Sequence, residues 1–304
     1  MDFDQTEVEK FIETFQFFNK KVPPEPIKRS YISVGSNFFI KFGEALDTKL
    51  PNGRPYKKSP WAIWIGSNVD WRLSQNGKFI VGSCHSYDKM NAEVQRLVGK
   101  KYLSSSIISQ FMDIEFVFEG GYVLTSFLSI LLREQWILFC KNNNTAGVKA
   151  ETLDEVKQIN QLSTHFDIQN LFKEISLPID QKSVTHFSLE KKELYLFFES
   201  NLTLCLDWCS WRIEKNDEYC IGAGEFSLDE YPDIHQYLDE IKEKKLVKSS
   251  VADPFQDARF EFENGYVIKT FFCFKSSAPW KILKGNKEYI YPKKARKLGP
   301  LGPR

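Results

Sequence analysis

The sequence predicts an α+β protein built as a tandem duplication, in which each copy is a mainly antiparallel β-sheet domain with one helix packed on the sheet. Three observations carry that reading. Residues 113–136 recur as 257–280 at a constant offset of 144, with nine of 24 positions identical. In each copy, turn-forming residues separate short runs of alternating apolar side chains. Between the hairpins of each copy lies a stretch whose apolar residues recur at helical spacing.

Taken in chain order, residues 7–18 place Val8, Phe11, Ile12, Phe15 and Phe18 on one helical face, and Pro23-Pro24 ends that helix. Residues 71–73 and 79–81 flank Gln75-Asn76-Gly77, and an Asn-Gly pair supplies the positive φ angles of a tight hairpin. Residues 90–98 form a helix facing inward through Val94, Leu97 and Val98. Ile114, Phe116 and Phe118 alternate along a strand, and Glu119-Gly120-Gly121 turns it into residues 122–127. A polar run from Asn142 to Gly147 marks the joint, giving domains 1–144 and 145–292, followed by a flexible basic tail at 293–304. The second copy opens with a shorter helix over 166–175. It continues with a hairpin around Lys215-Asn216-Asp217, a helix over 234–241 through Ile234, Leu238 and Ile241, and a turn at Glu263-Asn264-Gly265. Trp71-Arg72-Leu73 matches Trp211-Arg212-Ile213 at an offset of 140, so the second copy carries four extra residues between Gly222 and Leu238.

Composition bounds the function. Aromatic residues make up 15%, with 26 Phe, which suits sheet-rich cores. Forty-one basic and 40 acidic side chains leave a formal charge of +1. A general electrostatic grip on nucleic acid or membrane is therefore not expected, and any such binding must be local. No basic segment precedes an apolar core near residue 1, and no apolar run approaches the ~20 residues of a membrane helix. The expected location is the cytoplasm. Six cysteines are too sparse for a disulfide framework there and read as small core hydrophobes.

A duplicated reactive site would keep its charged groups in both copies, and three pairs qualify: Arg72 with Arg212, Asp113 with Asp257, and Glu119 with Glu263. Two carboxylates can share acid–base work when their environments differ. At a strand start and in a hairpin turn, however, carboxylates accept backbone N–H bonds or pair with arginine, so these six read as structural. The four histidines share no metal-ligand spacing. Cys205 and Cys209 lack the second pair a zinc site needs, and no phosphate-cradling glycine loop occurs. No catalytic residue, metal or cofactor is assigned.

Charge is distributed unevenly. Residues 225–243 hold seven acids (Glu225, Asp229, Glu230, Asp233, Asp239, Glu240 and Glu243) against Lys242 alone, and the four-residue insertion falls in this stretch. That patch is the candidate partner-binding surface, suited to a basic partner. The tail carries five basic residues, so nucleic acid enters as a partner only through it. The repeated pattern is Trp-Arg, a glycine, a short helix, Asp-x-x-Phe-x-Phe-x-x-Gly-Tyr and a closing tryptophan. It resembles small bacterial immunity-like domains that neutralise polymorphic or contact-dependent toxins. The resemblance implies a cytoplasmic, non-enzymatic protein that binds a toxin domain or other protein by surface occlusion, without cofactor. The alternatives are an enzyme with its site between the repeats and a ligand- or nucleic-acid-binding module.

Overall fold

A computed structural model describes residues 19, 25–33, 37–49, 52–66, 69–109, 113–128, 134–139, 145–149, 172–190, 193–206, 209–223, 234–252, 257–273, 280–285 and 287–290. Nearly all the regular structure is antiparallel strand, with two eight-residue α-helices among the described residues. The chain divides into two compact units, Met1–Asn170 and Leu171–Arg304.

The first unit holds β1 (Ile27–Ile32), β2 (Phe38–Phe42), a separate two-stranded ribbon β3 (Leu46–Lys49) and β4 (Pro55–Lys58), β5 (Trp61–Ile65), β6 (Val69–Gln75) and β7 (Lys78–Gly82). Helix α1 (Tyr87–Val94) follows, and then β8 (Tyr102–Ile107), β9 (Ile114–Phe118), β10 (Tyr122–Leu128), β11 (Glu134–Phe139) and β12 (Thr145–Lys149). One sheet has the order β1-β2-β5-β11-β12, the other β7-β6-β10-β9-β8. The unit is thus two sheets rather than the expected one. The strands before residue 69 share little residue identity with their counterparts in the second unit, so the repeat at 113–136 and 257–280 does not extend to them. Their alternation is nevertheless plain: Phe38, Ile40 and Phe42 are fully buried while Phe39 and Lys41 are not.

The core lies between the sheets. Phe38 of β2 meets Trp71 of β6 at a ring separation of 4.8 Å, and Phe42 meets Tyr102 of β8 edge-on at 6.3 Å. Burying side chains of this size contributes roughly 1.5–3 kcal/mol each. Helix α1 buries Met90 and Val94, a 3₁₀ turn over Gln95–Leu97 adds Leu97, and Val98 is exposed, contrary to the expected face. The helix runs beside edge strand β1: Asn91 Oδ1 accepts from Ile32 N at 2.8 Å, the Tyr87 hydroxyl donates to Ile32 O at 3.1 Å, and the Gln95 amide donates to Ser30 O. It therefore occupies strand backbone groups that no neighbouring strand reaches.

The second unit contains β13 (Phe172–Ile175), β14 (Val184–Glu190), β15 (Glu193–Phe198), β16 (Leu202–Leu206), β17 (Ser210–Lys215) and β18 (Glu218–Gly222). Helix α2 (Ile234–Ile241) follows, and then β19 (Leu246–Ala252), β20 (Asp257–Phe262), β21 (Tyr266–Phe271), β22 (Lys281–Lys284) and β23 (Lys287–Ile290). The orders are β14-β15-β16-β22-β23 and β13-β19-β20-β21-β17-β18. A single core joins Leu194, Leu196, Leu204 and Trp280 to Trp211, Ile213, Phe260 and Ile268, and α2 seats Ile234, Leu238 and Ile241 in it as expected.

Two expectations are corrected. The helix expected over 166–175 is strand β13 where it is described, paired to β19 from Phe172↔Ala252 to Ile175↔Ser249. An exposed sheet edge overrides the weak helical spacing there. The joint expected at 144/145 falls immediately before β12, whose pairing with β11 places it in the first unit; the units divide at 170/171. The helix expected over residues 7–18 and the basic tail lie outside the described residues.

Hairpin chemistry matches closely in the two units. Asn76 and Gly77 take φ of 50° and 71°, and Asn216 and Asp217 take 50° and 65°. Asn76 N donates to Gly121 O at 2.9 Å and Asn216 N to Gly265 O at 3.1 Å. Gly121 and Gly265 have positive φ, and a Cβ on either would collide with the Oδ1 of the facing Asn76 or Asn216. On the first unit's edge strand β8, Asn19 stands where β13 stands in the second: its Oδ1 accepts Ser105 N at 2.9 Å and its amide donates to Ser105 O at 3.2 Å.

Candidate functional site

The repeated aspartates hold strands. Asp113 and Asp257 are both buried at a strand start. Asp113 Oδ1 accepts Leu128 N and Asp257 Oδ1 accepts Phe272 N, each at 2.7 Å, so each carboxylate ties the start of one strand to the end of its neighbour. Asp113 also accepts from the Ser109 hydroxyl at 2.6 Å. Beside them, Ser126 Oγ accepts Ile114 N and Thr270 Oγ1 accepts Ala258 N. Glu119 and Glu263 sit in their turns with exposed side chains, and their backbone N–H groups donate to Lys101 O and Lys245 O.

Arginine 212 leads to chemistry absent from the sequence reading. It faces away from the core on β17 yet is 1% exposed, and its Nε donates to Glu214 Oε1 at 2.7 Å. Glu214, at 0% exposure, holds a second cation, the Lys269 ammonium 2.8 Å from Oε2. Lys269 lies directly across from Arg212 on one side and from Arg259 on the other, and Arg259 pairs with Glu261 at 3.2 Å. Three cations and two carboxylates thus share the outer face of β17, β21 and β20. Burial pushes the Glu214 carboxyl up, but Lys269 and Arg212 outweigh it and hold the group below the ordinary carboxylate range. Burial pulls Lys269 down; Glu214 opposes this, while crowding by Arg212 and Arg259 adds to it. A carboxylate kept ionised between two cations is a poor general acid or base near neutral pH.

The equivalent face of the first unit carries Arg72, Ser74, Thr125 and Glu115, of which the first three are buried. Burial raises the Glu115 carboxyl, with Arg72 partly opposing. Glu214, Lys269 and Arg259 thus stand where the first unit has Ser74, Thr125 and Glu115. None of these three charges is repeated between the units. The alternation Trp211-Arg212-Ile213-Glu214, with charges opposite core residues, was the available signal.

Of the seven acids expected to form an interface, Glu225, Asp229, Glu230 and Asp233 lie outside the described residues. Asp239 and Glu243 are exposed beside Lys242, Lys244 and Lys245. Glu240 turns back onto its own unit. Its carboxylate lies 2.8 Å from the Lys215 ammonium, which sits 4.6 Å from the Tyr266 ring centre, and its backbone oxygen accepts from Asn264 at 2.6 Å. Lys215, and then the Tyr266 hydroxyl, hold Glu240 below its usual range. Burial, followed by the bond to Glu240, pushes Tyr266 up to about 12, and burial likewise raises the nearby Cys220 thiol to about 12. This cluster fastens α2 to the β17–β18 hairpin.

Fold and site together define a two-unit antiparallel β protein whose repeated aspartates, Asp113 and Asp257, hold strand ends. No family model matches the chain, and no curated protein or solved structure is significantly similar to it. Among the described residues, no helix is long and apolar enough to cross a membrane.

Proposed function

We propose that the chain is an internally duplicated, non-enzymatic binding protein that acts in the cytoplasm and neutralises a protein partner by covering its surface, in the manner of the immunity-like domains its repeat resembles. The observation that carries the reading is the matched use of Asp113 and Asp257. Each is buried and each accepts one backbone N–H at 2.7 Å across a strand end. Residues common to the copies build the scaffold, whereas outward features differ, as expected when a stable frame presents variable binding surfaces. The duplication is supported by the strand orders of the two larger sheets of each unit, which differ only by β13, and by the paired turn bonds at Asn76 and Asn216.

The partner of this reading is a toxin domain with a basic surface, met by the acidic segment of the second unit. The test is calorimetric titration of the protein with a toxin domain encoded beside it. Charge reversal at Asp229, Glu230 and Asp233 is expected to weaken binding by about tenfold or more while leaving the melting temperature unchanged. Unchanged affinity of the reversed protein would remove the proposed surface.

A further inference from the structure

We infer that the outer face of the first unit's β1-β2-β5 sheet, together with the β3–β4 ribbon, binds single-stranded nucleic acid. This goes beyond the protein-binding reading and involves other residues.

Tyr31, Phe39 and Trp64 occupy one register row across three adjacent strands, on the face away from the core. Tyr31 and Phe39 stack at 5.2 Å and 12°, and Phe39 and Trp64 follow at 6.3 Å and 37°. The Trp64 indole donates to Asn37 Oδ1 at 3.1 Å, which fixes its ring in the row. In the neighbouring row, Arg29 stands opposite Lys41, whose ammonium lies 5.4 Å from the Tyr31 ring centre. Lys28 is paired with Glu44. Tyr31, Phe39 and Trp64 are partly exposed, and a strip of aromatic side chains flanked by cations suits unpaired bases and their phosphates.

The ribbon adds charge at the same end of the sheet. Phe42, the last residue of β2, is paired with Trp61, the first of β5, and everything between them is the ribbon and its connections. Lys49, Arg54 and Lys57 are exposed on it. Residues 27–60 hold seven Lys or Arg against Glu44 and Asp47, a net of +5 in a chain whose total is +1. In the second unit, Glu199, Ser200 and Asn201 alone join the corresponding strands, and Phe197 takes the register position of Lys41. The basic ribbon and the aromatic row with its cations therefore belong to one unit only. An acidic protein would use the cations without the stacked row, and a duplex would hide its base faces from that row.

The test is fluorescence anisotropy of labelled 12-residue oligouridylate, oligodeoxyuridylate and a duplex of equal length, with the full chain at low salt. Saturable binding of a single strand, weaker for the duplex, is expected; the stronger of the two single strands identifies the sugar. Phe39→Ala and Trp64→Ala should each weaken it by about 5- to 100-fold, whereas Phe39→Tyr and Trp64→Phe should keep it. Lys49→Glu with Arg54→Glu and Lys57→Glu should flatten the salt dependence. Circular dichroism melting confirms that each variant folds. The inference is overturned by no binding, by equal binding of duplex, or by binding that survives both alanine variants and disappears only when residues 293–304 are removed.

Discussion

Replacing Glu214 by Gln should be among the most damaging single changes to the second unit. Glu214 is wholly buried and stands within 2.8 Å of two cations; glutamine keeps the shape but leaves Arg212 and Lys269 facing each other without a counter-charge. Removing one member of such a buried pair costs about 3–5 kcal/mol. For a unit of about 130 residues, 1 kcal/mol corresponds to roughly 3–4 °C, so the unit's transition should fall by about 10–18 °C in scanning calorimetry. The pH dependence has a definite sign. The folded-state carboxyl is held below its unfolded range, so its stabilisation is complete above about pH 4.3 and is lost as pH falls through the folded value. The gap between the wild-type protein and Glu214→Gln should therefore close in acid. It should narrow again as pH rises above neutral, because the buried Lys269, already held below its ordinary range, gives up its proton more readily once Glu214 no longer opposes that loss. Replacing Arg212, Glu214 and Lys269 together by Met, Leu and Met should recover most of the loss, because the desolvation cost of all three charges disappears with them. A Glu214→Gln transition within about 2 °C of wild type, well under the 3 kcal/mol minimum, would refute the reasoning.

Asp257→Ala strands the Phe272 N–H and should cost roughly 1.5–3 kcal/mol, whereas Asp257→Asn keeps an acceptor and should cost about 1 kcal/mol; amide exchange at Phe272, and at Leu128 for the Asp113 pair of variants, reads the difference. Glu240→Gln should lower the Tyr266 titration from about 12 toward the ordinary tyrosine value, measured on the labelled ring carbon bearing the hydroxyl, while leaving the part of the rise due to burial in place.

Much of the second sheet of each unit was legible because its determinants are local. Asn76-Gly77 and Glu119-Gly120-Gly121 announce hairpins through the backbone angles they permit, and the alternation of Phe116 and Phe118 declares the inward face. Helix α2 was legible to the residue because Ile234, Leu238 and Ile241 make one stripe. The first sheet escaped because its strands share pattern but few letters between the units: Phe38, Ile40 and Phe42 do the work of Leu194, Leu196 and Phe198. Strand β13 escaped because its conformation comes from the β19 edge it covers, many residues away in sequence. The Glu214 network was hidden for a related reason. Its members lie on three strands and meet only through cross-strand register.

That network also bears on how a chain of two similar units avoids pairing their strands wrongly. Strands β6 and β17 place their core residues alike, Trp71 with Trp211 and Leu73 with Ile213, so β17 could satisfy its apolar face against β10 as well as against β21. Its outer face could not. Against β10, the position across from Arg212 would hold Thr125 in place of Lys269, and Glu214 would enter a buried site short of one of its two cations. Glu214 would keep Arg212 but lose the Lys269 ammonium from Oε2, a buried charge-assisted contact that only the cognate pairing supplies. A buried ion network adds little to net stability over an apolar face of equal size, so its value here lies in the difference between right and wrong partners. With Ser74, Thr125 and Glu115 standing where the second unit has Glu214, Lys269 and Arg259, the outer faces of two units of similar strand order are mismatched as partners for one another's strands.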